Sequence, residues 1–427
     1  MITTPLPQRL LAWYGDDFTG STDTLDVLAS NGIDSVLFLE QPDRALPSGF
    51  DKYRAVGLAG ISRSQNPEWM SAHLPAVFEW MRALGAPVNH YKVCSTFDSS
   101  PDVGSIGRAL EIGQAVFSPA WVPIVVGAPT LRRYVVFGNL FATVDGATHR
   151  IDRHPTMSRH PVTPMHEADL RLHLARQTER SIALVDLHGL ASPKIEAGHD
   201  AVLFDTIDDQ SLLHVGRVLW DAATRQPFIV GSSGLEYALT AHWIATGAVP
   251  PPRPPPAPTR VDQIVALSGS CSPVTATQIR HAESHGFEAI KLDPQPLSRG
   301  EGIEQAVRAA LDALEQRRSV VLYSAASPED RVDLQGARDA LGEQSGRVLC
   351  AVLDRAPIRR AMVAGGDTSS HAGRQLGIHA LTFLSRIAPG APLCRAWSNS
   401  PARDGLEIVF KGGQLGQHDF FTKVLGQ

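Results

Sequence analysis

Four cysteines in 427 residues, Cys94, Cys271, Cys350 and Cys394, stand far apart with no C-x-x-C pair. That scarcity excludes a disulfide framework and a zinc ribbon, and small buried residues are the expectation for all four. No stretch approaches the roughly 20 unbroken apolar residues of a membrane span. The acidic pair Asp16 and Asp17 also arrives before any signal-like apolar core, so the chain is read as cytoplasmic, with no membrane partner. Lysine and arginine form no block and the net charge is −5, so the basic stripe that neutralises nucleic-acid phosphates is missing. Absent too are G-x-x-x-x-G-K-[ST] and a G-x-G-x-x-G following a strand, the two commonest nucleotide signatures.

With 43% hydrophobic and 19% charged residues, what is present belongs to an ordinary folded chain long enough for two domains. Pro250 to Pro258, PPPRPPPAP, predicts a stiff polyproline II linker without backbone donors for a sheet or helix. It divides residues 1–249 from 259–427. On both sides short aliphatic or β-branched runs alternate with helix-like stretches, the pattern of two α/β domains with largely parallel sheets and an active site in the cleft between them. Leu10 to Tyr14 and Ser35 to Leu39 read as strands around a helix from Ser21 to Asn31, a β-α-β unit. Beyond the linker, Ile264 to Leu267, Ala289 to Leu292, Ser319 to Tyr323 and Arg347 to Leu353 carry the strand signal.

Ligands of open α/β sheets gather beyond the carboxyl ends of strands, which makes five turns informative. Gly15-Asp16-Asp17-Phe18-Thr19-Gly20 ends a strand in two carboxylates. Either could orient a hydroxyl, accept its proton or bind magnesium, and either could simply cap the following helix. Gly231-Ser232-Ser233-Gly234 and Ser268-Gly269-Ser270-Cys271-Ser272 each lie between a strand and a helix start, where backbone donors suit an anion. In Ala364-Gly365-Gly366-Asp367-Thr368-Ser369-Ser370 a glycine pair, set against an acidic residue and three hydroxyls, allows close approach of a phosphate chain, and Asp367 could order magnesium or a water. Phe410-Lys411-Gly412-Gly413-Gln414-Leu415-Gly416 suits a nucleotide, although an exposed hairpin reads the same way. The earlier half adds Arg63, Lys92, Asp98, Arg153 and His160, a mixture suited to an anionic polyol. His149, His154, His160 and His166 match no zinc spacing and read as a loop.

These motifs, in this order and over nearly the whole chain, resemble the four-carbon acid sugar kinase family. The likeness rests on Gly15 to Asp23, Lys92 to Ser99, His160 to Met165, Ser268 to Thr275, Gly365 to Thr368 and Lys411 to Gly416. The resemblance implies a first domain that binds a short sugar acid, a second that binds ATP with Mg2+, and phosphoryl transfer between them. It implies that Asp16, Thr19, Arg63, Lys92, Asp98, His160 and Ser232 face the acid. Ser268, Ser270, Ala364, Gly365, Gly366, Asp367, Gly412 and Gly413 would contact ATP. Asp17 is expected nearest the accepting hydroxyl, with Asp367 the rival base by analogy with other sugar kinases. A homodimer stays open as the assembly. Gly104-Ser105-Ile106-Gly107, Gly127 to Arg133 and Gly138-Asn139-Leu140-Phe141 depart from the pattern of members resembling 3-oxo-tetronate kinases. That departure points to a shifted substrate such as 3-oxo-isoapionate, with 3-oxo-tetronate or threonate as the conventional choices. A magnesium phosphatase would ordinarily show D-x-D and would leave the glycine turns unexplained; a non-catalytic sugar-acid sensor would leave ATP untouched.

Overall fold

Most strands of the protein read as unbroken buried runs, because a parallel sheet covered on both faces leaves no polar side to alternate with. The computed structural model describes residues 6–426 except 44–45, 145, 161, 196 and 327–337, and only the backbone of Arg338 and Asp367. Before the proline stretch the strands are β1 (Leu11–Gly15), β2 (Ser35–Phe38), β3 (Ala55–Ala59), β4 (Val88–Lys92), β5 (Val122–Val125), β6 (Arg133–Val136), β7 (Asn139–Val144), β8 (Ala147–Arg150), β9 (Ile182–Val185), β10 (Ala201–Phe204) and β11 (Phe228–Gly231). After it come β12 (Ile264–Ser268), β13 (Glu288–Lys291), β14 (Val320–Tyr323), β15 (Arg360–Ala364), β16 (Ala380–Ala388), β17 (Ala391–Trp397) and β18 (Glu407–Lys411).

The chain packs as two units. One comprises residues up to Asp16, Val27–Ser35 and Gln41–Arg253; the other comprises Asp17–Asp26, Val36–Glu40 and everything from Pro254. The first has a parallel sheet in the order β3-β1-β4-β11-β5-β10-β9, with a small antiparallel sheet β6-β7-β8 beside it in sequence. From β1 the chain goes to one side, to β3, and then crosses to β4 on the other. The β1/β4 boundary is therefore the switch point outside which α/β sheets bind ligands.

The second unit runs β13-β14-β12-β15-β18 in parallel and continues antiparallel through β17, β16 and β2. Here the chain visits β13 and β14 on one side of β12 and then crosses to β15, which puts the switch point between β12 and β15. Ile264, Met362, Val409 and Phe421 lie in its core. Fully buried Arg360 fastens the ends of the unit. Its Nε donates to Glu407 Oε2 at 2.7 Å, Nη1 to the Val424 carbonyl at 2.6 Å and Nη2 to the Thr259 carbonyl at 2.8 Å.

Three readings of the sequence are corrected. Arg347 to Leu353 is not a strand but part of the helix Arg338–Arg355. Ser345, Val348, Leu349, Val352 and Leu353 are buried at a helical period that a short apolar run conceals. β1 and β2, joined by the helix Phe18–Ser30, are not neighbouring strands: β1 pairs with β3 and β4, while β2 pairs antiparallel with β16. The cysteines are all free, but only Cys394 is fully buried; Cys94, Cys271 and Cys350 are half-buried. The proline stretch marks only the last crossing between the units. Earlier crossings fall inside a helix and at strand ends, where no Pro or Gly cluster announces them.

Candidate active site

In the first unit, the carboxyl ends of β1, β3 and β4 assemble a charged cluster. Asp16 follows β1, its N–H donating to the Lys92 carbonyl at 2.9 Å and its own carbonyl accepting the Arg63 N–H at 3.1 Å. Both the Asp16 and Lys92 side chains are buried, and the Lys92 ammonium donates to the Val93 carbonyl at 2.8 Å. Past β4 the buried Asp98 carboxylate receives both bonds of a fork from Arg63 Nη2, at 3.0 and 2.8 Å. It also accepts from the Thr96 hydroxyl at 2.5 Å and the Thr163 hydroxyl at 3.0 Å. Burial alone would push the Asp98 carboxyl up. Arg63, His160 and the Thr96 hydrogen bond outweigh it and hold the group below the ordinary carboxylate range. His160 Nδ1 accepts the Thr163 N–H at 3.1 Å and lies 3.9 Å from Asp98.

Asp98, Arg63, His160 and Thr163 are thus drawn together from distant parts of the sequence. Gly104 lets the chain pass: it has φ +60°, and a Cβ there would lie 2.5 Å from the Arg63 carbonyl. Ser232 belongs to the same sheet end, but its hydroxyl is fully buried, donating to the Val126 carbonyl at 2.6 Å and accepting from Gly234 N–H at 3.0 Å. It shapes the turn after β11 from inside. Arg153 lies in a short helical turn, Ile151–Arg153. Of the histidine row, buried His154 accepts the Thr156 and Met157 N–H groups at Nδ1, both at 3.2 Å, as a loop residue would.

In the second unit three turns follow three adjacent parallel strands. After β12, Ser268-Gly269-Ser270-Cys271 leads to Ser272, which caps the helix Pro273–Ser284 by accepting the Val274 N–H at 3.3 Å. After β15, whose last residue Ala364 pairs with Ser268, comes Gly365 at φ +109° and the helix Gly366–Gln375. Lys411, paired with Ala364, closes β18 ahead of Gly412 and Gly413. The turns touch where glycine stands. A Cβ on Gly269 would collide with Thr368 Oγ1, one on Gly413 would lie 2.5 Å from Ser270 Oγ, and one on Gly365 would lie 3.4 Å from the Ser270 nitrogen. Two helix N-termini therefore open at the β12/β15 switch point with their positive dipole ends, the arrangement that holds phosphates. Asp367 stands in the first turn of the second helix, its side chain outside the described residues.

Asp17 packs with these turns. Its carboxylate caps the helix Phe18–Ser30, Oδ1 accepting the Gly20 N–H at 2.5 Å and Oδ2 the Thr19 hydroxyl at 2.9 Å. The Thr19 hydroxyl gives its proton to that bond. The next residue fastens the turn: Phe18 N–H donates to Ser370 Oγ at 3.3 Å on the helix that follows the Gly365 turn. The Phe18 ring meets Phe410 edge-on at 5.8 Å and fills the space left by Gly373. Further along the same helix, buried Asp26 accepts from Arg386 Nε at 2.9 Å and Gly390 N–H at 3.1 Å. Sequence reasoning misses Asp26 and Arg386, and it gives no sign that Phe18 and Ser370, each inside one of the five turns, meet.

Comparison with known proteins finds two family models along the chain. Residues 11–239 match a sugar-binding N-terminal domain and residues 265–421 a nucleotide-binding C-terminal domain. The 3-oxo-isoapionate kinase of Paraburkholderia graminis is 49% identical over 97% of this chain and 94% of that protein. A 3-oxo-tetronate kinase of Cupriavidus necator is 30% identical over 98% and 97%. A Salmonella typhimurium LT2 crystal structure described as a tRNA synthase shares the fold, with a TM-score of 0.75, 24% identity and coverage of 97% and 98%. No described helix is long and apolar enough to cross a membrane. Glycine turns at one sheet's switch point, a cation-ringed carboxylate at the other's and two family matches along the chain lead to one assignment: this chain belongs to the four-carbon acid sugar kinase family and is a carbohydrate acid kinase.

Proposed function

We propose that the chain transfers the terminal phosphoryl group of ATP to a hydroxyl of a short, branched oxo sugar acid of the 3-oxo-isoapionate type. The observation that carries this reading is the meeting of the β12, β15 and β18 turns in one packing unit with the Asp17 turn. Phosphoryl transfer needs alignment and neutralised charge more than covalent help. Main-chain donors at Gly366, Gly412 and Gly413, for which no acceptor stands among the described residues, provide the first for the phosphates. Mg2+ fits as an ion brought by the nucleotide, since it is ordinarily held by one or two carboxylates together with phosphates and water. Asp17 and Asp367 are the carboxylates at these turns, and among the described residues no group of three acidic, His or Cys side chains forms a protein-only cage. The Asp17 carboxylate orients the accepting hydroxyl and takes its proton. Arg63 and His160, gathered on Asp98, receive the carboxylate of the acid. The acid itself is proposed from the 49% identical relative and from the departures at Gly104 to Gly107 and Gly127 to Arg133.

The test is ATP consumption by the purified chain across four- and five-carbon aldonic and oxo acids. Turnover should be highest with 3-oxo-isoapionate, and ATP left intact with every acid would sink the reading. Arg63→Ala should raise KM for the acid by roughly tenfold to a hundredfold, the worth of a hydrogen bond to a charged group. It should also lower stability by about 1–3 kcal/mol, because Asp98 keeps a buried charge without its main partner. The sign follows from the depressed folded-state pKa. Asp98 contributes stability fully above the ordinary carboxylate pKa, and that contribution disappears as pH falls through the lower folded value. Acid denaturation of the variant, followed by circular dichroism, should therefore begin at higher pH than in wild type.

A further inference from the structure

Lys411 ends β18 beside the nucleotide turns, yet its side chain is fully buried and does not reach toward a ligand. Its ammonium donates to Thr275 Oγ1 at 3.1 Å, to the Gly412 carbonyl at 3.0 Å and to the Gly413 carbonyl at 3.4 Å. Three acceptors use all the donors an ammonium has. All three are neutral, and among the described residues no carboxylate forms an ion pair with it. Thr275, in the first turn of the helix Pro273–Ser284, donates in turn to the Gly413 carbonyl at 2.8 Å. The lysine thus joins the β18 turn to the helix that begins at the β12 turn. Burial pushes its pKa down to about 7, the expected response of a cation taken out of water without an anion.

Peptide planarity gives this arrangement a consequence. In a trans peptide the carbonyl of one residue and the N–H of the next point in opposite directions. With the carbonyls of Gly412 and Gly413 turned onto Lys411, the N–H groups of Gly413 and Gln414 point away from it. Neither of them donates to a protein acceptor among the described residues. Ser270 Oγ lies 2.5 Å from where a Gly413 Cβ would stand, so this peptide borders the β12 turn.

We propose that Lys411 is a positioning residue for the polyphosphate: it fixes the Gly412-Gly413 carbonyls inward so that the Gly413 and Gln414 N–H groups bind a phosphate, whose charge completes the buried ammonium. This rests on the reading of these turns as the ATP site. Calorimetry of the full chain with ATP and with adenosine tests it, alongside steady-state kinetics. Lys411→Met keeps the side chain's length and apolar stem. It should weaken ATP binding by roughly tenfold to a hundredfold, the worth of charge-assisted hydrogen bonds. Adenosine affinity and KM for the sugar acid should stay as in wild type, while KM for ATP rises. Thr275→Val, which leaves the charge in place, should show a smaller loss in the same direction and keeps the test open if the first variant does not fold. Wild-type ATP affinity in a folded Lys411→Met chain overturns the role of Lys411 alone. Equal loss for ATP and adenosine also overturns it, as the mark of a merely structural residue. If wild type itself binds ATP no tighter than adenosine, the turns hold no phosphate and the reading of the site fails with it.

Discussion

Replacing Gly365 by valine should abolish measurable ATP turnover while leaving the sugar-acid half of the chain able to bind its ligand. Two independent costs meet at this residue. Its φ of +109° lies where L side chains are rarely found, so any Cβ imposes about 1–3 kcal/mol of backbone strain. The same Cβ would also stand 3.3 Å from Thr368 Oγ1 and 3.4 Å from the Ser270 nitrogen, and the larger valine carries bulk into the meeting point of the β12 and β15 turns. On the proposed reading the native glycine leaves that space to the phosphate chain. The expected result in calorimetry is a loss of ATP affinity of about a hundredfold or more, the upper end of that strain. Because Gly365 packs in the unit that starts again at Pro254, binding of the acid should persist. Undiminished ATP affinity in a folded variant would remove the glycine pair from the nucleotide site.

The local grammar of these turns is legible in the amino-acid order alone. Strand, glycine-hydroxyl turn and helix start are short-range features, and Pro273 at the first helical position or Gly365 at positive φ carries its own conformational reason. Which turns meet is a different matter. Ser268, Ala364 and Lys411 become neighbours only through the pairing of β12 with β15 and β15 with β18, strands far apart in the chain. Nothing in a local window encodes that order. The membership of Asp17 is hidden for the same reason. A proline stretch advertises a linker, but the bonds that attach the Asp17 turn to the later unit, Phe18 to Ser370 and Asp26 to Arg386, join residues from opposite ends of the sequence. Lys411 shows the limit from another side: a lysine before two glycines reads as a ligand contact, and only burial reveals that it points inward.

Asp17→Asn should lower kcat by about a hundredfold to ten-thousandfold, the usual contribution of a positioned general base. The geometry makes this a clean substitution. Asparagine Oδ1 can still accept the Gly20 N–H, and its amide can donate to the Thr19 hydroxyl, so the helix cap survives while the charge and the proton acceptor are lost. Asp17→Ala removes the cap as well and should cost about 1 kcal/mol of stability in addition. The pair of variants therefore separates the two roles of one carboxylate. If capping is its whole contribution, Asp17→Asn will turn over near the wild-type rate and only Asp17→Ala will be impaired, in step with its lower melting temperature. If Asp17 receives the hydroxyl proton, both variants lose turnover alike, and ATP affinity measured by calorimetry stays at the wild-type value because the phosphates rest on main-chain donors of other turns. A carboxylate offers about four lone-pair sites, so the bonds from Gly20 and Thr19 do not by themselves exhaust it. The proposed reading asks two things of this one group: to start the helix and to aim the acceptor hydroxyl.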